Sequence, residues 1–458
     1  MRHKTLKLLL ACIVLLSGAG VANSYITSGD RFSFNGLNYE VRTMNSHYPP
    51  FYFTLISIDD SVRNAVIPDS LTVETGTYTV REINLESKCN IESLTIPSTI
   101  TNIKAYFGNS DDECAWPDSL KYVRIASLEK WMDIEFVTSN YYQYGGPCFG
   151  ISNPLGKADM MYIGDTPVTD LVIPEGTDSV SREAFYGAKF LKSVTFPSTL
   201  KSIGHGAFAY CDNLDFVDVN SIKSWCGMDI KSYTIYHSGT TYSEWEDYKP
   251  VFGNRATLLE NGIETTYLAI PESVDTIRAG VFNNCRTIKR LYVSENVKAL
   301  EAYSFKNCLG LEEIYVYSHQ PPMACSIVGF SEDWYEWGPV KTDDYGFAFL
   351  RDYKGDTMTL HVPVGSAEAY RNDEYWGLLS NIVEFDPSGI EDIAAESSAD
   401  YFRCRDGVIS FENLPDGIVP EVYSIDGMLR HRGGEATGVL PSGTYIIRLG
   451  RSTHKVHI

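Results

Sequence analysis

The sequence predicts a β-rich repeat solenoid with coils of about 23 residues and longer inserted coils, followed by a small C-terminal all-β domain. Three observations carry that expectation. Leu171, Val194 and Val217 lie 23 residues apart, and Leu268, Leu291 and Ile314 repeat the interval. A shared template fills the spaces between them, with phenylalanine returning at one position as Phe185, Phe208, Phe282 and Phe305. Beyond residue 400 the period gives way to short β-type runs separated by turn residues.

The chain opens with Arg2, Lys4 and Lys7, then an apolar run from Leu8 to Leu16 and the small residues Ser17 to Gly20. This pattern predicts a signal peptide over residues 1–24, with the mature chain starting near Tyr25. The run is too short for a membrane-spanning helix. An alternative reading makes Cys12 a lipidation site, but only four apolar residues precede it. Residues 25–62 read as an N-terminal β-rich cap.

The solenoid is expected over residues 63–385. In the coil that starts at Val194, the apolar positions are Phe196, Leu200, Ile203, Ala207, Phe208, Cys211 and Leu214; Pro197 follows the strand and Gly204 marks a bend. Leu268 and Leu291 each start a matching coil, while Ala65 and Leu94 start weaker copies. Two long cassettes interrupt the regular coils. They resemble each other through Ser127 to Trp131 with Asp133-Ile134, and Ser221 to Trp225 with Asp229-Ile230. Each coil contributes a strand that only neighbouring coils can bury, so one continuous parallel-strand solenoid is expected, closed by residues 318–385. Residues 386–400 are small, acidic and aperiodic, as a linker is. Four β-type runs then form a C-terminal β-sandwich over 401–458.

Strings such as Phe196-Pro-Ser-Thr-Leu-Lys-Ser-Ile-Gly204 and Ala207-Phe-Ala-Tyr-Cys211 resemble the BspA-like leucine-rich repeats, over roughly residues 63–385. Thr177 in the place of Leu200, Ala188 in the cysteine position, and Arg278 or Glu301 in the place of Gly204 depart from the pattern. The tail resembles the sorting domain of the type IX secretion system through Val422-Tyr-Ser-Ile-Asp-Gly427, Leu440-Pro-Ser-Gly-Thr-Tyr-Ile-Ile447 and Lys455. Its alternative is a small structural β-domain. The resemblance implies a surface or secreted protein of a Gram-negative bacterium of the Bacteroidales, acting in adhesion or in host or matrix protein interaction without enzymatic activity.

Composition narrows the partners. The formal charge is −21, and loss of Arg2, Lys4 and Lys7 takes it to −24. Such a field repels phosphate backbones and anionic membrane surfaces, so nucleic acid is not an expected partner. No strong catalytic pattern is present, and no cofactor or metal is expected. Gly204-His-Gly-Ala-Phe-Ala209 satisfies a relaxed dinucleotide fingerprint, but its residues are template positions, and Phe208 must point into the core. Cys211, Cys285 and Cys308 share one template position, which reads as a row of small buried side chains; a Cys285–Cys308 disulfide is the alternative.

A monomeric scaffold for an extracellular protein or glycan is therefore expected. Alternation within each strand turns one set of residues outward. One outward row holds Tyr122, Asp170, Ser193, Phe216, Tyr267, Arg290 and Glu313, and the second holds Arg124, Val172, Thr195, Asp218, Ala269, Tyr292 and Tyr315. The aromatic and charged members Tyr122, Phe216, Tyr267, Arg290, Tyr292, Glu313 and Tyr315 are the candidate binding residues. The alternative is a glycan site in the inserted loops, where Tyr242, Trp245, Tyr248, Trp334 and Trp337 combine aromatic planes with neighbouring carboxylates.

Overall fold

The structure, a computed structural model, describes residues 26–45, 48–105, 115–137, 152–231, 251–253, 256–324, 349 and 358–387, and most of 402–457. The expected signal peptide and most of the expected linker lie outside the described residues.

A single coil shows why the template folds as it does. In the strand Ser193–Phe196, Val194 and Phe196 are buried and Ser193 and Thr195 face outward. Pro197 ends the strand, since it has no N–H to give to a ladder. A second short strand, Ser202–Ile203, buries Ile203 on the other side of the core. In four of the coils the chain then turns through two left-handed residues. Glu183, Gly206, Gly280 and Tyr303 occupy the first position with φ between 58° and 69°. Gly187, Tyr210, Asn284 and Asn307 occupy the second, with φ between 56° and 69°. These turns aim backbone donors at the next coil: Glu183 N–H donates to His205 O at 3.0 Å, Gly187 to Ala209 at 2.8 Å, and Asn284 to Lys306 at 2.7 Å. Interior packing holds the non-glycine members in a conformation that costs about 1–2 kcal/mol.

The phenylalanine position forms the spine of the core. Phe185 stacks on Phe208 with centroids 5.2 Å apart, and Phe282 on Phe305 at 5.0 Å, with Phe349 continuing the second stack at 5.4 Å. Cys211, Cys285 and Cys308 are buried free thiols, and the Cys308 thiol donates to Phe282 O, so the alternative disulfide is not formed.

The core is continuous, and one cluster runs from Leu37 to Ile382. The strand ladder is not, which corrects the expectation of an unbroken parallel sheet. It falls into three blocks. The first pairs Asn64–Val66, Ser93–Ile96, Tyr122–Ile125 and Met160–Ile163 in parallel. The second pairs Asp170–Val172, Ser193–Phe196, Phe216–Val219 and Thr257–Glu260. The third pairs Tyr267–Ala269, Arg290–Val293, Glu313–Val316, Thr359–Pro363 and Asn381–Phe385. The first two blocks end in antiparallel hairpins, Ile163 paired with Thr166 and Glu260 with Ile263. The second hairpin turns on Asn261 and Gly262, both at positive φ, which is the two-residue turn that matches strand twist. A reversed strand cannot extend a parallel ladder, so the next coil begins a new one.

The long cassettes bridge these breaks from inside. Ser127 and Ser221 accept from the backbone of Lys130 and Ser224 and cap two short helices, α1 (Leu128–Met132) and α2 (Ile222–Cys226). The helices bury Trp131 and Trp225, and the two indoles donate to Ala184 O and Val281 O, each at 2.8 Å, in the first coil of the following block. The helix ends act in parallel: Met132 O accepts from Ser181 N–H and Cys226 O from Arg278 N–H.

Both ends are covered. Strands Arg31–Phe34, Leu37–Asn45 and Tyr48–Ile58 form an antiparallel cap, and the last of them pairs in parallel with Gly76–Asn84, so the cap sheet continues into the back of the first block. At the other end α3 (Ala367–Arg371) and the turn Trp376–Leu378 close the third block. Tyr370 Oη donates to Ser318 O at 2.8 Å and Trp376 Nε1 to Pro322 O at 2.6 Å. Beyond residue 401, a two-stranded and a four-stranded antiparallel sheet share a separate small core that includes Phe411, Val422, Tyr445 and Ile447.

Candidate binding surface

The strand face presents the two outward rows in the expected register within each block. Asp170, Ser193 and Phe216 are directly paired neighbours, and so are Tyr267, Arg290 and Glu313. The hairpins interrupt the rows between blocks, so the face offers three separate patches.

The first patch is an aromatic pair with a cation. Tyr122, 40% exposed, meets Tyr162 edge-on at 5.8 Å, and the Arg124 guanidinium lies 4.3 Å from the Tyr162 ring centroid. Arg124 also donates to Gly164 O at 3.3 Å and faces Asp165 at 3.7 Å, which ties the patch to the hairpin.

Phe216, 46% exposed, is the apolar centre of the second patch. Beside it Ser193 Oγ donates to Asp170 at 2.6 Å and Thr169 Oγ1 donates to the same carboxylate, which holds that carboxyl below the usual range. Asp218 accepts from Gly262 N–H at 3.0 Å, and Val172 is exposed.

The third patch is the most aromatic and is largely closed. Tyr292 stacks on Tyr315 at 5.1 Å, and Tyr315 on His361 at 4.1 Å with the rings 5° from parallel. Phe385 meets Tyr315 edge-on at 5.6 Å and Tyr317 at 5.4 Å. Tyr292 and Tyr315 point outward but are buried, and burial raises the pKa of both phenols. Tyr317 is pushed up to about 12 for the same reason, and burial lowers His361 against the opposing pull of Glu313. Arg290 forms an ion pair with Glu313 and lies 5.4 Å from the ring centroid of Tyr267. Burial works against the Arg290 charge, but Glu313 and the surrounding phenols raise its pKa. Tyr267 is the exposed aromatic here, at 39%. Of the seven candidates, Tyr122, Phe216 and Tyr267 offer open ring surface, Arg290 and Glu313 are partly exposed, and Tyr292 and Tyr315 support the patch from beneath.

Sequence reading did not place Tyr162 or His361 at the surface patches. Tyr162 lies on a strand inside a cassette whose apolar phasing is shifted, and His361 joins the stack only because Thr359–Pro363 pairs with Glu313–Val316 across a long insertion. The loop residues Tyr242, Trp245, Tyr248, Trp334 and Trp337 lie outside the described residues. Among the described residues no group of three or more His, Cys, Asp or Glu side chains could hold a metal ion, and no helix is long and apolar enough to cross a membrane. His205 and Phe208, from the glycine-rich string, are both buried in the coil interior.

Stacked coils, each giving one parallel strand to a common face and packing a repeated apolar set behind it, define a leucine-rich-repeat type of β-rich fold. Residues 160–238 and 256–321 match the model of the BspA type leucine-rich repeat region, in six copies. Three solved structures are similar to the chain. A leucine-rich cell surface protein of Faecalibacterium prausnitzii is 15% identical, with 79% of this chain and 96% of that chain covered and a TM-score of 0.33. The pneumococcal vaccine antigen PcpA is 12% identical, with 79% and 100% covered and a TM-score of 0.26. A leucine-rich repeat protein from Bacteroides ovatus is 13% identical, with 78% and 100% covered and a TM-score of 0.24. Comparison with curated proteins finds no match.

Proposed function

We propose that this chain is a non-catalytic extracellular scaffold that binds a host or matrix protein through its strand face, exported from a Gram-negative bacterium with its C-terminal domain as the sorting address. The observation that carries the reading is the contrast between the two sides of each strand. Inward positions repeat from coil to coil, while the paired outward positions change from Asp170 to Ser193 to Phe216 and from Tyr267 to Arg290 to Glu313. Packing demands the first pattern; a non-repeating surface is what selective contact uses. Tyr122, Phe216 and Tyr267 would be the anchors, as aromatics dominate protein contact energetics.

The test is an array of extracellular matrix proteins and glycans probed with the mature chain, followed by Tyr122→Ala, Phe216→Ala and Tyr267→Ala against the best binder. Each substitution should weaken a protein partner by about fivefold or more, equivalent to about 1 kcal/mol. Normal binding by all three variants, or a glycan binder lost only when residues 242–248 are deleted, would move the site to the inserted loops.

A further inference from the structure

Five residues other than glycine hold the left-handed turn positions of the four coils, and four of them are buried: Glu183, Asn284, Tyr303 and Asn307 are each at most 8% exposed. Interior contacts offset a conformation that a Cβ disfavours. Tyr210 is the exception. At φ +59° it occupies the position that Gly187, Asn284 and Asn307 hold in sibling coils, and its side chain is 40% exposed. Its backbone is fixed by what surrounds it, since Ala209 and Cys211 are buried and Ala209 O accepts from Gly187 N–H at 2.8 Å. Glycine or asparagine would suit that turn better than a bulky ring.

At the surface the ring meets a second one from the coil before. Tyr186 and Tyr210 have centroids 5.1 Å apart and planes inclined at 56°. Tyr186 rests over Gly206, where an added Cβ would lie 3.8 Å from its Cδ2. The two rings form a shallow aromatic step on the return from the back strand Ser202–Ile203 to the face strand Phe216–Val219, apart from the strand-face patches. Two residues beyond the second turn position, Lys189 and Asp212 are exposed and offer a donor and an acceptor.

We propose that Tyr186 and Tyr210 are a stacking site for a neutral, β-linked pyranose chain of the glucose or N-acetylglucosamine type. Such sugars carry their hydroxyls equatorially, which leaves axial C–H groups on both flat faces, and positively polarised C–H suits the negative face of a tyrosine ring. The size of the step favours a sugar over a protein. A protein contact of standard size covers about 800 Å² per partner, yet between Val172 and Phe216 Tyr210 is the one large apolar side chain that is exposed. The formal charge of −21 disfavours sulfated or other anionic chains.

The experiment titrates the full chain with cellohexaose and chitohexaose, and with heparin as an anionic polymer, and reads binding by saturation-transfer NMR. Tyr210→Asn and Tyr186→Ala should each weaken binding of the hexamers about tenfold or more, Tyr210→Phe should bind as the parent does, and heparin should not bind. Tyr210→Asn restores the residue of the sibling coils, so its thermal midpoint should equal or exceed that of the parent. A lower midpoint would mean that packing accounts for the ring, and would overturn the site. So would a parent that binds neither hexamer, equal binding by parent and variants, or a preference for heparin. A protein partner weakened by Tyr210→Asn while the hexamers bind normally would give the step to a protein interface instead. Tyr267→Ala should leave hexamer binding intact, so this site and the strand-face site can fail separately.

Discussion

The indole N–H of Trp225 donates to the carbonyl of Val281 at 2.8 Å, across a block border where, among the described residues, no strand-to-strand ladder runs. Trp131 and Ala184 repeat the relationship at the preceding border. Trp225→Phe keeps most of the ring but takes from the Val281 carbonyl its indole donor, whereas in Trp131→Phe the Ala184 carbonyl keeps the donation from Asn153 Nδ2 at 3.1 Å. Trp225→Phe should therefore cost about 1–3 kcal/mol in chemical denaturation, and Trp131→Phe less. Two variants as stable as the parent would show that packing alone holds the borders.

Phe208→Ala and Phe305→Ala remove one ring from each phenylalanine stack. Both residues are nearly fully buried, so each substitution should destabilise the protein by roughly 3–5 kcal/mol. Unfolding midpoints that do not move would mean the stacks are dispensable to the core.

His205 is buried, and burial, with Arg182 nearby, lowers its pKa to about 4. The ordinary value is about 6.5. Between these limits the unfolded chain binds a proton that the folded chain refuses, so stability falls as pH falls from 6.5 to 4, and the contribution is level outside that window. The loss is on the order of 3 kcal/mol. His205→Ala copies the alanines at the same template position, Ala279 and Ala302, and should flatten stability against pH there. A slope that survives the substitution would assign the acid sensitivity to other groups.

Gly280 sits at φ +69°, and a Cβ placed there would meet nothing within 4 Å. Gly280→Ala therefore isolates the conformational cost, about 1–2 kcal/mol. Asparagine tolerates this conformation better, so Gly280→Asn should lose less by thermal melting. An alanine variant as stable as the parent would show that the turn relaxes.

Much of the architecture was legible because burial writes itself into spacing. Val194, Val217, Leu268 and Leu291 announce their strands, and strand alternation then places Tyr267 beside Arg290. The three-block division was not read, although Asn261-Gly262 between Glu260 and Ile263 is a strong two-residue hairpin signal. The long cassette masked it, since the inward Leu258 lies off the 23-residue count from Val217. The left-handed turns were hidden for another reason. Glycine marks only some of them, and Glu183, Tyr210 and Tyr303 adopt the same conformation under the constraint of packing. The closure of Tyr292 and Tyr315 was also invisible, because alternation gives a side chain's direction and says nothing about what lies over it.

The two hairpins also decide how the molecule bears a load. If one end is fixed to a surface and the other is pulled, tension inside a block is shared by rows of parallel backbone bonds. At a block border it passes to an indole, a helix-end carbonyl and side-chain packing, which makes the borders the compliant joints. Successive borders stand about one block apart, 97 residues from Leu171 to Leu268. A tethered chain of this design would lengthen in discrete steps under shear, giving up one block at a time while the remaining blocks keep their faces presented.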